Sequence, residues 1–176
     1  ASAISEKCAQ ILFEYGVSAA ENVRHNKNSE SVEKVVEANT LLSGIGFESG
    51  GLALAHPLAN SYTEITRLNK KYLHGELVAM GTLAQLAMEN SEDLEKVTKF
   101  FIDIGLPVNL EQLSMHPLKQ FEINKVIDTA FKNPLIHHMK FEVSRGLILK
   151  SIKKADELGT SYVCKYGDEA YRRLHG

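Results

Sequence analysis

The sequence has few of the residues that mark disulfide-stabilised proteins. Its 176 residues include no tryptophan, four prolines and two cysteines. Cys8 and Cys164 lie near opposite ends of the chain, whereas a disulfide framework needs more cysteines in a shorter sequence. We therefore expect two buried free thiols and a reducing compartment.

Long apolar runs are also missing. The longest apolar stretches, such as residues 78–88, contain polar residues and fall short of the roughly 20 residues needed to span a bilayer. No basic segment followed by an apolar run marks a signal peptide. These absences predict a cytoplasmic protein with no membrane partner.

The sequence has no large excess of positive or negative charge. The chain has 20 Lys and Arg against 22 Asp and Glu, a formal net charge of -2. Nucleic-acid binding requires clustered basic residues that acidic neighbours do not compensate. We expect no nucleic-acid partner.

Apolar residues recur at spacings of three and four along nearly the whole chain, which is typical of amphipathic helices. Sustained alternation of apolar and polar residues is absent, so strands are few or absent. The predicted helices cover residues 4–23, 31–42, 72–90, 94–104, 123–131, 144–158 and 168–174. This pattern predicts one all-α domain over residues 1–176, a helical bundle with short loops.

A nucleotide-binding motif is absent as well. The glycines between Gly44 and Gly51 follow a predicted helix rather than a strand, and their spacing does not match a dinucleotide fingerprint. The chain alone is therefore not expected to bind a nicotinamide cofactor.

Most of the seven histidines lie in contexts that indicate solvent exposure. His25, His116 and His175 lie in polar or terminal segments. His137 and His138 follow Pro134 in a predicted loop, where neighbouring side chains point in different directions. We expect none of these five to bind a metal.

His56 and His74 lie in different surroundings. His56 follows an apolar segment of small residues and is expected to be partly buried, and His74 begins the strongest predicted helix. Histidines from different helices can meet in a bundle core, where a neutral imidazole binds zinc or ferrous iron. Two histidines 18 positions apart match no compact zinc motif, so the pattern alone leaves open a structural role in the core.

Two blocks of sequence resemble the glycerol dehydrogenase family of iron- and zinc-containing alcohol dehydrogenases. Residues 37–52 include Gly-Phe-Glu-Ser-Gly-Gly-Leu, and residues 74–86 begin with His-Gly-Glu. Weaker similarity continues in order at residues 105–107, 136–139 and 155–156. The resemblance therefore covers essentially the whole chain.

This resemblance implies a fold and a metal site. Family members have a nucleotide-binding α/β domain followed by an all-helical metal-binding domain, a dehydroquinate-synthase-like fold. The chain corresponds to the second domain, and we expect the N-terminal nucleotide-binding domain to be absent. The metal in the family is usually zinc, and iron is the alternative. It is held by two histidines that map to His56 and His74. The third ligand is an aspartate from an upstream segment that the chain lacks. The resemblance also implies that Phe47 forms a wall of the substrate pocket, and that Phe47 and His56 bind the substrate.

The implied reaction is NAD-dependent oxidation of glycerol, or a related vicinal diol, to dihydroxyacetone. NAD would be bound by the missing domain, so the chain alone is expected to be inactive.

Ala59 stands where many relatives have a second histidine, which leaves open a sibling iron-dependent alcohol or propanediol dehydrogenase. A non-catalytic helical module for metal binding or protein interaction is a further alternative. A domain without its partner exposes apolar surface, so a homo-oligomer is expected.

Overall fold

The computed structural model describes residues 2–42 and 52–176, and all regular secondary structure in these two ranges is helical. The predicted all-α fold is thereby confirmed for this part of the chain. The chain divides into two compact units, Ala1–Gly51 and Leu52–Gly176. A single domain over residues 1–176 stays a prediction. Within the described ranges, no helix has both the length and the apolar character needed to cross a membrane.

In the described residues 2–42, the first unit contains two helices and a short π-helical turn: α1 (Ser2–Arg24), α2 (Glu30–Glu37) and the turn Ala38–Leu42. The Ser29 hydroxyl accepts the Val32 amide at 3.4 Å and caps α2, as a serine before a helix is expected to do. Cys8, Ile11 and Ala38 form a small buried core. Burial raises the pKa of the Cys8 thiol, which donates to the Ala38 carbonyl at 3.5 Å. Cys8 is therefore the buried free thiol that the sequence predicts.

The second unit contains the two candidate ligands and is built around one central helix. Its elements are α3 (Ala55–Thr63), α4 (Thr66–Lys71), α5 (His74–Glu89), α6 (Leu94–Ile104), α7 (Gln120–Lys132), a 3-10 helix (Pro134–His138), α8 (Arg145–Tyr166) and α9 (Glu169–His175). Helix α5 packs against α3, α6 and α8. It buries Leu77, Ala79, Met80, Gly81, Leu83, Ala84, Ala87 and Met88. These residues cover a wide face of the helix, which is typical of a helix that packs against several neighbours in a core.

One continuous apolar core joins α5 to its neighbours. Its large, fully buried side chains include Leu58, Tyr62, Leu77, Met80, Leu83, Ile123, Ile148 and Ile152. Each large apolar side chain contributes roughly 1.5–3 kcal/mol when it is fully removed from water. The direction of α5 is therefore fixed by packing along its length.

Helix α8 differs from its prediction. The apolar pattern predicts an end at Leu158, immediately before Gly159, and a glycine often follows the last residue of a helix. The structure continues α8 to Tyr166. A Cβ at Gly159 would overlap the backbone carbonyl of Val108, so this glycine permits close packing and does not end the helix. Cys164 lies on the added turns and is exposed, so the prediction that both cysteines are buried is wrong for Cys164.

An ion pair between a buried carboxylate and an exposed arginine connects α4 to α7. Arg67 donates two hydrogen bonds to the Glu122 carboxylate, one of them at 2.7 Å, and a third to the Ser114 carbonyl at 3.2 Å. The Glu122 side chain is only 6% exposed. These hydrogen bonds from Arg67 lower the pKa of Glu122. The pair therefore stabilises the fold above the pKa that Glu122 has in the unfolded chain, and this stabilisation is lost as pH falls through the lower folded-state pKa.

We predict that Glu122→Gln lowers the free energy of unfolding by about 1.5–3 kcal/mol at neutral pH, since it removes a charge-assisted hydrogen bond from a buried site. Urea unfolding followed by circular dichroism measures this difference. It should shrink on acidification, because the wild-type carboxyl then becomes neutral too. The control Asp103→Asn breaks a more exposed pair with Lys99 and should change stability by less than about 1 kcal/mol. A pH-independent difference would contradict this account.

Candidate metal site

Two imidazole rings meet at the beginnings of α3 and α5. His56 is the second residue of α3 and is half-buried, and His74 is the first residue of α5 and is exposed. Their ring centroids are 5.8 Å apart, and the ring planes are inclined at 52°. The structure thus brings together two histidines that lie 18 positions apart in sequence.

The distance between the two ring centroids is close to the distance expected for two imidazoles that bind one metal ion. With zinc–nitrogen bonds of about 2.0–2.1 Å and tetrahedral angles, two imidazole centroids would lie about 5 Å apart. The observed 5.8 Å is within a small side-chain adjustment of this value. Burial, and next the proximity of His74, lower the pKa of His56. Its neutral imidazole, the form that binds metals, is therefore favoured at neutral pH.

Helix α5 also positions the start of α3. Gly81 lies seven residues after His74, and Gln85 four residues later, so all three lie along the same side of the helix. A Cβ at Gly81 would overlap the carbonyl of Ala55, the residue before His56. Gln85 Oε1 accepts the Ala55 amide at 3.0 Å. The first N–H groups of a helix have no partner within the helix, and the Leu54 N-cap offers no side-chain acceptor for them. Gln85 supplies such an acceptor at the start of α3.

His138 fixes the segment that leads into α3. This histidine ends the 3-10 helix, and its Nδ1 donates to the Leu52 carbonyl at 2.5 Å. A carbonyl oxygen only accepts, so Nδ1 carries the proton in this contact. His138 is exposed, and it anchors the chain four residues before His56.

The first turn of α5 is closed by Glu76. Its Oε2 accepts the Leu73 amide at 2.7 Å, which is the helix-capping role typical of glutamate at this position. Its Oε1 contacts His175 Nε2. The His175 side chain is 13% exposed, so the prediction that His175 is solvent-exposed is wrong. It is wrong because the fold returns α9 to the beginning of α5, 99 residues earlier in the chain.

The described residues provide an incomplete ligand set. Among residues 2–42 and 52–176, no group of three or more His, Cys, Asp or Glu side chains could hold a metal ion. Catalytic zinc sites commonly have three protein ligands and one open position. Phe47, the predicted wall of the substrate pocket, lies outside the described residues.

Comparisons with known proteins identify close relatives over most of the chain. No protein-family model matches. The chain is 40% identical over 162 residues to a glycerol dehydrogenase of Thermotoga maritima, covering 90% of the chain and 44% of that protein. It is 38% identical over 159 residues to a glycolaldehyde reductase of Halobacterium salinarum, covering 89% and 43%. The crystal structure of glycerol dehydrogenase from Schizosaccharomyces pombe superposes with a TM-score of 0.87 at 34% identity, covering 93% of this chain and 42% of that one.

These matches agree in extent and in fold. The chain spans less than half the length of the curated relatives, and the match lies in their C-terminal part. The same helical architecture recurs in the solved structure over nearly the whole chain. By sequence and by fold, the chain is therefore a homologue of the C-terminal part of the glycerol dehydrogenases.

Proposed function

We propose that this chain is the metal-binding portion of an NAD-dependent dehydrogenase that oxidises glycerol or a related small diol, with His56 and His74 as zinc ligands. The observation that carries the proposal is the 5.8 Å separation of the two rings. Homology to glycerol dehydrogenases supports the reaction class. Iron is the alternative metal, because imidazole also suits ferrous iron.

The two proposed ligands differ in how firmly the fold holds them. His56 is half-buried and carried by a helix whose start Gln85 and His138 fix, so it provides a rigid point of attachment. His74 is exposed and lies at the open side of the pair. A small diol could approach from that side. When bound, zinc would supply Lewis acidity that favours deprotonation of a substrate hydroxyl.

The remaining parts of the reaction are assigned to protein outside the described residues. The sequence has no dinucleotide fingerprint, so NAD would be bound by a separate nucleotide-binding domain. The third ligand, an aspartate by family resemblance, would come from the segment that precedes this chain in relatives. Phe47 is proposed as a substrate contact on the resemblance alone. The 176-residue chain by itself should therefore be inactive, and self-association stays a prediction.

A second candidate substrate follows from the comparisons. The relative from Halobacterium salinarum is named glycolaldehyde reductase and is 38% identical to this chain. A short hydroxyaldehyde, reduced at the same metal, is therefore a specific alternative to glycerol. Rates for glycerol, 1,2-propanediol and glycolaldehyde, measured on a protein that joins this chain to a nucleotide-binding domain, distinguish these substrates. No turnover of any of them would favour a non-catalytic helical module.

We predict that the 176-residue chain binds one zinc ion weakly, and that His56→Ala and His74→Ala each lower its affinity. The loss should be at least about 10–100-fold, the range already measured for groups that only support a ligand. Isothermal titration with zinc measures this affinity. The control His25→Ala removes an exposed histidine in the turn after α1 and should bind as wild type does. Unchanged binding in both site variants would refute the ligand assignment.

We also predict that Gly81→Ala separates the beginnings of α3 and α5. The added methyl group would overlap the Ala55 carbonyl, so stability should fall by about 1–3 kcal/mol and zinc affinity should fall with it. The matched control is Gly75→Ala on the same helix, where a Cβ meets nothing within 4 Å. This control should be neutral or stabilise the chain by up to about 1 kcal/mol. Equal behaviour of the two variants in urea unfolding and zinc titration would contradict the close packing described here.

A further inference from the structure

The polar contacts of α9 are directed at the first turn of α5. All seven residues of α9 are described and none is buried. The helix therefore adds little to the apolar core. Its side chains instead contact Glu76 of α5 and the Gln112 carbonyl in the segment that follows α6.

The contact between His175 and Glu76 is one of two polar contacts that hold the imidazole ring. His175 Nε2 faces a Glu76 carboxylate oxygen, and His175 Nδ1 lies 2.9 Å from the Tyr171 carbonyl oxygen. Each ring nitrogen therefore has a polar partner, one on α5 and one on α9. The two side chains are 13% and 12% exposed, which shields the pair from water.

Two tyrosines hold the His175 ring in place. The Tyr171 ring stacks on it with centroids 4.1 Å apart and planes inclined at 17°. The Tyr171 hydroxyl donates to the Gln112 carbonyl, and the Tyr72 hydroxyl donates to the same oxygen at 2.6 Å. Tyr72 also immediately precedes Leu73, whose amide Glu76 accepts. The contacts of α9 thus reach both sides of the turn that begins with His74.

Close backbone packing fixes α9 from its other side. Gly105 ends α6 with a φ of 86°. A Cβ there would overlap the Ala170 carbonyl and approach the Leu174 side chain. Helix α9 therefore has a defined position on α6, from which His175 reaches Glu76.

We propose that α9 positions the metal ligand His74, and that His175 is the positioning residue that acts through Glu76. The Glu76 carboxylate connects His175 to the Leu73 amide and so fixes the backbone from which the His74 ring projects. This inference rests on the proposed function, because it takes His74 as a ligand. His175 itself touches neither the ion nor the substrate in this arrangement.

The test compares zinc affinity in the 176-residue chain and three variants by isothermal titration. His175→Ala removes the contact to Glu76 and should lower affinity about 10–100-fold, the range for groups that support a ligand. His175→Gln keeps a donor for Glu76 and should recover most of this loss. The control Arg172→Ala removes a charged side chain of the same helix that pairs with Asp168. Its zinc affinity should stay within twofold of the wild-type value. Circular dichroism at the titration temperature confirms that each variant is folded.

A second measurement reports on the stability of the first turn of α5 and needs no metal. Amide hydrogen exchange at Leu77, whose N–H bonds to the Leu73 carbonyl at 3.3 Å, should accelerate at least about tenfold in His175→Ala and stay unchanged in Arg172→Ala. Unchanged zinc affinity in His175→Ala would overturn this inference and leave His56 and His74 as ligands. Absence of zinc binding in the wild-type chain would instead refute the proposed ligands, and the inference with them.

Discussion

The close approach of α5 to the start of α3 is the constraint on which the candidate site depends. Gly81 has no side chain at the point where the Ala55 carbonyl lies against α5, and Gln85 satisfies the Ala55 amide one turn later. Helix α5 is buried along its length by the core, and α3 packs against it as part of the same core. The same helix that begins with one imidazole therefore places the other. A glycine and a glutamine side chain on α5 therefore position the two proposed ligands, which lie far apart in sequence.

Supporting contacts surround the two rings on both sides. His138 holds the chain that enters α3, and Glu76 closes the turn that begins α5. Such contacts are as important to a metal site as the ligands, since they fix the direction from which each nitrogen approaches the ion. The similarity to glycerol dehydrogenases and the paired histidines both support the proposed metal-dependent oxidation of an alcohol. The chain spans less than half the length of those relatives.

Helical periodicity predicted the all-α fold and placed α1, α5 and α6 to within about two residues, because each has a continuous apolar pattern. The resemblance selected His56 and His74, and the structure places their rings side by side. The end of α8 could not be predicted, because Gly159 looks the same in sequence whether it stops a helix or admits Val108. Contacts of long sequence separation, such as that of His175 with Glu76, have no local pattern at all. A glycine and a glutamine four residues apart inside a strong helix were the available signal for close packing against α3.

The most direct test of the account is the position of zinc in crystals of this chain, located by anomalous diffraction at the zinc absorption edge. The account predicts one principal peak between α3 and α5, within bonding distance of a ring nitrogen of His56 and a ring nitrogen of His74. A principal peak elsewhere, or one bonded to His74 without His56, would contradict it.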